Sequence, residues 1–226
     1  MSILKRVGLF GGTFNPIHFG HLRTALETME AFGLEQVYFI PASDPPHKGK
    51  KDLADETDRL AMLSRAIEQT PGFSILDIEM RRPGRSYTID TVRALTRESP
   101  PSTGFFLMIG LDAFMELDTW KDYKRILETV PLIVIFRPYG KDPGKSHGEF
   151  EGIETHIRQT ISAGFVFNRE ENAFTHESLK AIHIFPATPL GISATAIREL
   201  VRKGRSIRYL LPDSVASYIH DKRLYI

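Results

Sequence analysis

The stretch FGGTFNPIHFGH, Phe10 to His21, sets two histidines three residues apart behind a pair of glycines. On a helix of about 3.6 residues per turn, His18 and His21 fall on nearly the same face. Two imidazoles so placed can contact one extended anion, such as a polyphosphate. Gly11 and Gly12 follow an apolar run. A strand, a Gly-Gly turn and a helix N-terminus together offer free backbone N–H groups and the positive end of a helix dipole, which attract anions. The plain structural alternative is that the glycines turn the chain and a histidine packs or caps. Zinc is a weaker reading, because no nearby Asp, Glu or Cys completes a ligand set. Two common phosphate motifs are absent: there is no G-x-x-x-x-G-K-[ST], and GLFGGTF does not fit G-x-G-x-x-G.

The elements that must position these residues alternate along the chain. RVGLF (Arg6–Phe10) reads as a first strand, ended by Gly11 and Gly12, and a helix follows from about His18 to Ala31. QVYFIP (Gln36–Pro41), FSILDI (Phe73–Ile78), GFFLMIG (Gly104–Gly110) and PLIVIF (Pro131–Phe136) read as further strands, and AIHIF (Ala181–Phe185) as one more. Ser43–Lys51 reads as a loop, and Asp55–Gln69 as a helix with Leu60, Leu63 and Ile67 on one face. Thr88 can cap a helix that carries Ile89, Val92 and Leu95. Pro138–Gly148 reads as an exposed loop, and Ile153, Ile157 and Ile161 recur at helical spacing before Gly164. ISATAIRELVRKG has a full helix signature: Ser193 as cap, Ile197, Leu200 and Val201 inward, Arg202 and Lys203 in the last turn, Gly204 beyond it. Pro212–Asp221 makes a final helix.

Strands spaced by helices predict an α/β fold: a Rossmann-like doubly wound sheet, mainly parallel, flanked by helices, with a small C-terminal helical portion. No linker divides the chain, so residues 1–226 read as a single domain. Parallel sheets bind ligands beyond the C-terminal ends of their strands, and the chemistry-bearing stretches fall there.

Bulk properties narrow the class. The 226 residues are 42% hydrophobic and 25% charged, with a net charge of +1. That profile is globular and carries no global basic field for nucleic acid. With no cysteine there are no disulfides, thiolate metal sites or cysteine nucleophiles, which suits a reducing, cytoplasmic setting. MSILKRVGLF does not read as a signal peptide, and runs such as VPLIVIF are too short to span a bilayer.

GGTFNPIHFGH resembles the signature of the nucleotidyltransferase superfamily, with an H-x-G-H element at His18–His21. PPHK (Pro45–Lys48), RSYTIDT (Arg85–Thr91), IGLDAF (Ile109–Phe114), Trp120, ISATAIR (Ile192–Arg198) and YLLPDSVASYI (Tyr209–Ile219) follow in order, and together they resemble the bacterial nicotinate-nucleotide adenylyltransferases over nearly the whole chain. The resemblance implies adenylyl transfer from ATP to nicotinate mononucleotide, giving deamido-NAD and pyrophosphate, with Mg2+ bridging phosphate oxygens. His18 and His21 would donate to the α- and β-phosphates. Gly11, Gly12, Thr13, Phe14, Ser193, Thr195 and Arg198 would hold the ATP phosphates. Lys48, Ser86, Tyr87, Thr88 and Trp120 would receive the mononucleotide, with Lys48 on its phosphate, the turn at SYTIDT facing the nicotinate carboxylate and Trp120 offering a flat face to the pyridine ring. Gly110 and Asp112 would meet a ribose. Apart from the resemblance, Arg198 reads equally as a surface charge, Trp120 as core, Lys48 as a solvated charge and Asp112 as a helix cap. No dedicated metal ligand set is expected. Two positions depart from the family pattern: Asn15, where Asp is common, and Ala194, where a second Ser is common.

Two other readings are an adenylyltransferase or cytidylyltransferase for another acceptor, such as phosphopantetheine, and a nucleotide-binding sensor without catalysis. SYT and DTW speak against the first, and the intact H-x-G-H with Ser193, Thr195 and Arg198 against the second. No basic stripe or K-M-S-K-S loop supports an RNA partner. No membrane partner is expected, and a homo-oligomer is left open.

Overall fold

The computed structural model describes residues 5–43, 52–136 and 143–226. Along the chain the elements are β1 (Lys5–Gly12), α1 (Phe19–Ala31), β2 (Gln36–Pro41), α2 (Glu56–Ile67), β3 (Phe73–Ile75), α3 (Thr88–Glu98), β4 (Thr103–Gly110), α4 (Leu111–Met115), α5 (Tyr123–Thr129), β5 (Leu132–Phe136), α6 (Pro143–His156), β6 (Val166–Asn168), β7 (Ala173–Thr175), β8 (Ile182–Pro186), α7 (Ala194–Arg202) and α8 (Asp213–Asp221). They form two compact units interleaved in sequence. One comprises Met1–Leu9 and Tyr87–Pro189, the other Phe10–Ser86 and Leu190–Ile226. Strand β1 contributes to both.

In the first unit the strands run in the order β1-β4-β5-β8-β7-β6. β4 pairs parallel with β5, and β5 with β8, while β6, β7 and β8 close the edge antiparallel. Every residue of β5, LIVIF, is buried, as befits a strand covered on both faces. In the second unit the order is β3-β2-β1, with β2 and β3 parallel and Val37 opposite Phe73. The order therefore reverses at β1, the mark of a doubly wound sheet. The expected mainly parallel α/β architecture is what forms.

Local chemistry explains the helix ends. Ser193 Oγ accepts from the Ala196 N–H at 3.2 Å and caps α7. At its other end the Arg205 N–H bonds to the Leu200 carbonyl and the Gly204 N–H to the Val201 carbonyl, both at 2.9 Å, with Gly204 at φ +61°. This is the Schellman arrangement, and the residue after the cap must be left-handed.

Several expectations need correction. Gly11 and Gly12 are the last residues of β1, not a turn after it. Thr88 is the first residue of α3; Tyr87 holds the cap position, and no side chain caps there. Strand β3 ends at Ile75 rather than Ile78. Residues 143–148 begin α6 instead of belonging to a loop, and 138–142 lie outside the described residues. Ile153, Ile157 and Ile161 are all buried, but the last two sit in a π-helical turn that ends the helix. Of the predicted inward residues of α7 only Ile197 is buried. The hairpin β6–β7 had no expectation attached to it. No described helix is long and apolar enough to cross a membrane.

Gly204 supplies a prediction. Alanine there must adopt a left-handed conformation that costs about 1–2 kcal/mol. Gly204→Ala should lower the melting temperature by about 2–6 °C, whereas Gly191→Ala, in open space with no positive φ, should leave it within about 1 °C.

Candidate active site

The second unit carries the histidines. His18 sits at the cap position of α1, 3% exposed, and His21 lies one turn on. Their rings stack, with centroids 3.7 Å apart and planes 24° from parallel. Gly20 makes room for this: a Cβ built there would lie 3.0 Å from His18 ring atoms and 3.5 Å from the Ile192 carbonyl. The glycine of H-x-G-H is therefore a packing requirement, and it brings the residue ahead of Ser193 against α1.

Phe14 fixes the other side of the pair. Its backbone is left-handed at φ +48°, unusual for a bulky residue, and its ring is 2% exposed. The ring packs edge-on to His21 at 5.2 Å and contacts Phe10 and Phe39 at 5.9 and 5.7 Å. Gly12 exists for that ring, since a Cβ would come within 2.9 Å of it; Gly11 faces open space. Phe14 thus contributes its side chain to the core, leaving only its backbone for a ligand. The expectation of free N–H groups at the start of α1 also narrows, because the Phe19 N–H donates to the Leu210 carbonyl at 3.0 Å.

Between Phe14 and His18 the chain passes through a cis Asn15–Pro16 peptide. Asn15 is buried at 6% exposure and fully engaged. Its Nδ2 donates to the Asp52 carbonyl at 2.7 Å, and its Oδ1 accepts from the Ala54 N–H at 3.1 Å and the Tyr225 hydroxyl at 2.7 Å. Its own carbonyl accepts from Arg198 Nη1 at 2.8 Å, while Arg198 Nη2 donates to Thr195 Oγ1 at 3.3 Å. Arg198 therefore reaches back from α7 to the histidine segment, so the surface-charge reading does not describe it. Its Nε–H is buried with no acceptor among the described residues.

Arg59 escaped the sequence reading. It is fully buried, and four of its donors reach four backbone carbonyls: Nε to Ala54 at 3.2 Å, Nη1 to Thr13 at 3.0 Å and Ala42 at 2.6 Å, Nη2 to Ser43 at 3.2 Å. Burial pushes its guanidinium below its ordinary value, with Glu56 opposing. The available signal was helical register: Arg59, Leu63 and Ile67 share the stripe that α2 buries, rather than Leu60. The Ser43 hydroxyl bonds to the Glu56 carboxylate, and the Ser43 N–H donates to Ser86 Oγ at 3.1 Å, which brings Ser86 to the same loops. An open cleft of about 430 Å³ here is lined by Ser43, Ala54, Asp55, Glu56, Arg59 and Gly84, among others; the histidines do not line it. Lys48 lies outside the described residues.

The first unit holds the remaining candidates. Tyr87 and Thr88 open α3, whose first N–H groups have no acceptor within the helix. Lys121 Nζ lies 4.5 Å from the Tyr87 ring centroid and 3.0 Å from Asp90 Oδ2, which ties the Trp120–Lys121 segment to the first turn of α3. Trp120 is half-buried, so it is not an ordinary core residue. Gly110 precedes α4, and Asp112 lies exposed in its first turn without a capping bond. Among the described residues no group of three or more His, Asp or Glu could hold a metal ion.

The two glycines of β1 should respond differently to substitution. Gly12→Ala pushes on a Phe14 ring that cannot retreat, so it should cost about 1–3 kcal/mol of stability and reduce turnover through His21. Gly11→Ala should stay within about 0.5 kcal/mol. Thermal melts of the two variants check this.

The chain is similar to known proteins along nearly its whole length. The cytidylyltransferase-like family model matches residues 9–200. A Geobacter metallireducens protein named "Probable nicotinate-nucleotide adenylyltransferase" is 40% identical over 97% of this chain and 98% of its own length. A protein of the same name from Desulfatibacillum aliphaticivorans is 42% identical over 98% of this chain and all of its own. Among solved structures, Plasmodium falciparum nicotinic acid mononucleotide adenylyltransferase complexed with NaAD superposes with a TM-score of 0.71 at 15% identity, covering 98% of this chain and 97% of that one, which is a likeness of fold. The chain belongs to the cytidylyltransferase-like family, within its nicotinate-nucleotide adenylyltransferase branch.

Proposed function

We propose that this protein is a nicotinate-nucleotide adenylyltransferase that joins ATP to nicotinate mononucleotide, forming deamido-NAD and pyrophosphate. A phosphate oxygen of the mononucleotide attacks the α-phosphorus of ATP in line. The bond from that phosphorus to the bridging oxygen breaks, and pyrophosphate leaves with the electron pair. Nothing in this displacement needs a covalent enzyme intermediate, so the work falls to positioning and charge stabilisation.

The observation that carries the reading is the stacked His18–His21 pair, seated on Gly20 and faced by the start of α7. Imidazole donors held rigidly suit an anion whose charge shifts from α- to β-phosphate as the bond breaks. Arg198, fixed on the Asn15 carbonyl, keeps further N–H groups for the ATP phosphates, and Ser193 and Thr195 stand beside it. The open backbone at Gly11, continuing into Thr13, lets a phosphate approach. Mg2+ would enter with ATP on the nucleotide's own phosphate oxygens and neutralise their charge; the cationic and neutral donors described here suit the remaining oxygens.

Acceptor recognition is assigned to a separate group of residues. The first turn of α3 at Tyr87 and Thr88 offers N–H groups to the nicotinate carboxylate, and half-buried Trp120 offers a face to the ring. Ser86 and Lys48 complete this side, and Gly110 with Asp112 take a ribose. We read the interleaved units as one nucleotidyltransferase domain.

The test is pyrophosphate release with ATP and Mg2+, supplied in parallel with nicotinate mononucleotide, nicotinamide mononucleotide and phosphopantetheine. Strong turnover with the first alone is expected; turnover only with phosphopantetheine, or none at all, would reject the assignment. Equal turnover with both mononucleotides would remove the α3 carboxylate contact. His18→Ala should lower turnover by about a hundredfold or more with an unchanged circular dichroism spectrum, and near-normal turnover would remove His18 from its role.

A further inference from the structure

We propose that Tyr225, near the C-terminus, is a positioning residue for adenylyl transfer that acts through Asn15 on Arg198; this rests on the phosphate role given to Arg198 above. The path is two hydrogen bonds long. The Tyr225 hydroxyl donates to Asn15 Oδ1 at 2.7 Å. The Asn15 amide is held at Nδ2 by the Asp52 carbonyl and at the same Oδ1 by the Ala54 N–H, so the hydroxyl completes the set that fixes this side chain. The carbonyl of that residue then holds Arg198 Nη1 at 2.8 Å. His18 follows Asn15 by three residues in the same buried segment.

The tail is built to deliver this hydroxyl. Arg223 and Tyr225 both adopt left-handed backbone conformations, at φ +51° and +66°, which ordinary residues avoid. The Arg223 and Leu224 N–H groups are fastened to the His220 and Ile219 carbonyls at 3.1 and 3.0 Å. Strain of this kind persists only where surrounding contacts hold it. The phenol also touches Met62 Sδ at 4.0 Å, on the buried face of α2. Burial raises its ionisation far above the ordinary tyrosine value, with Arg198 and Arg59 pulling the other way, so the group remains a donor throughout the neutral range.

This geometry also gives the asparagine a reason. Its Nδ2 donates to the Asp52 carbonyl while its Oδ1 accepts twice, a division of labour that an ionised aspartate cannot provide. Asn15 and Tyr225 therefore work as a matched pair in this chain.

Tyr225→Phe removes the hydroxyl and keeps the ring. The readouts are calorimetric binding of a non-hydrolysable ATP analogue with Mg2+, KM for each substrate, and the melting temperature, each in the wild-type and Arg198→Met backgrounds. Analogue binding and KM for ATP should weaken by about fivefold, the worth of one hydrogen bond, with KM for the mononucleotide unchanged. In the Arg198→Met background the same substitution should change analogue binding by less than about twofold, because the path is already cut. An unchanged affinity in the single variant, an equal loss in both backgrounds, or a melting temperature lowered by more than about 10 °C would each overturn the proposal and leave Tyr225 a packing residue. Analogue binding is read without an acceptor. A wild-type protein that binds the analogue but transfers nothing to nicotinate mononucleotide would thus fail the proposed reaction and still test Tyr225.

Discussion

A guanidinium with no water around it must find acceptors, and Arg59 finds them in the backbone. Its carbonyls come from the segment after β1, the segment after β2 and the approach to α2. An unsatisfied buried charge costs several kcal/mol, on the order of a domain's whole margin. These three segments therefore have to converge before the helix can bury its stripe. Once they do, Thr13 is fixed, Phe14 is forced into its left-handed conformation over Gly12, and the ring of His21 has a wall to lean on. The histidine geometry is a downstream result of how an arginine two elements away is satisfied.

The histidine pair and the start of α7 were largely legible in the sequence because their parts are local. Gly20 between two histidines, and a Ser before a strongly amphipathic helix, are short-range signals whose structural meaning is nearly unique. What was not legible is how those pieces are held. Asn15 drew notice only as a departure, and Arg59 and Tyr225 drew none, because their partners lie far along the chain. A buried arginine looks like a surface arginine until its register on the helix is traced. The glycines were read as a turn because glycine usually makes one. In the structure they extend a strand, and one of them yields space to a ring.

The fold was readable for a similar reason. Apolar runs of β-branched residues between amphipathic stretches identified the parallel strands, and β5 met that expectation most fully. Errors gathered where the pattern weakens: the short edge strand β3, the β6–β7 hairpin, and the start of α6, where Pro and Gly counsel a loop and the chain forms a helix. Lys121 was overlooked although it adjoins Trp120. It neutralises Asp90 in the first turn of α3, where a carboxylate would otherwise oppose the approach of another anion.

The bond from Tyr225 to Asn15 spans 210 residues of chain. Ribosomes add about 5–20 residues per second, so about 10–40 s separate the synthesis of its two ends. Throughout that interval the histidine segment exists without the tyrosine that pins it, and for most of it without the arginine that α7 brings. The nascent polypeptide can form β4, β5 and β8 long before its second unit can close. Long-range closure of this kind is slow, and here the second unit gains this bond only after α7 and α8 have been made.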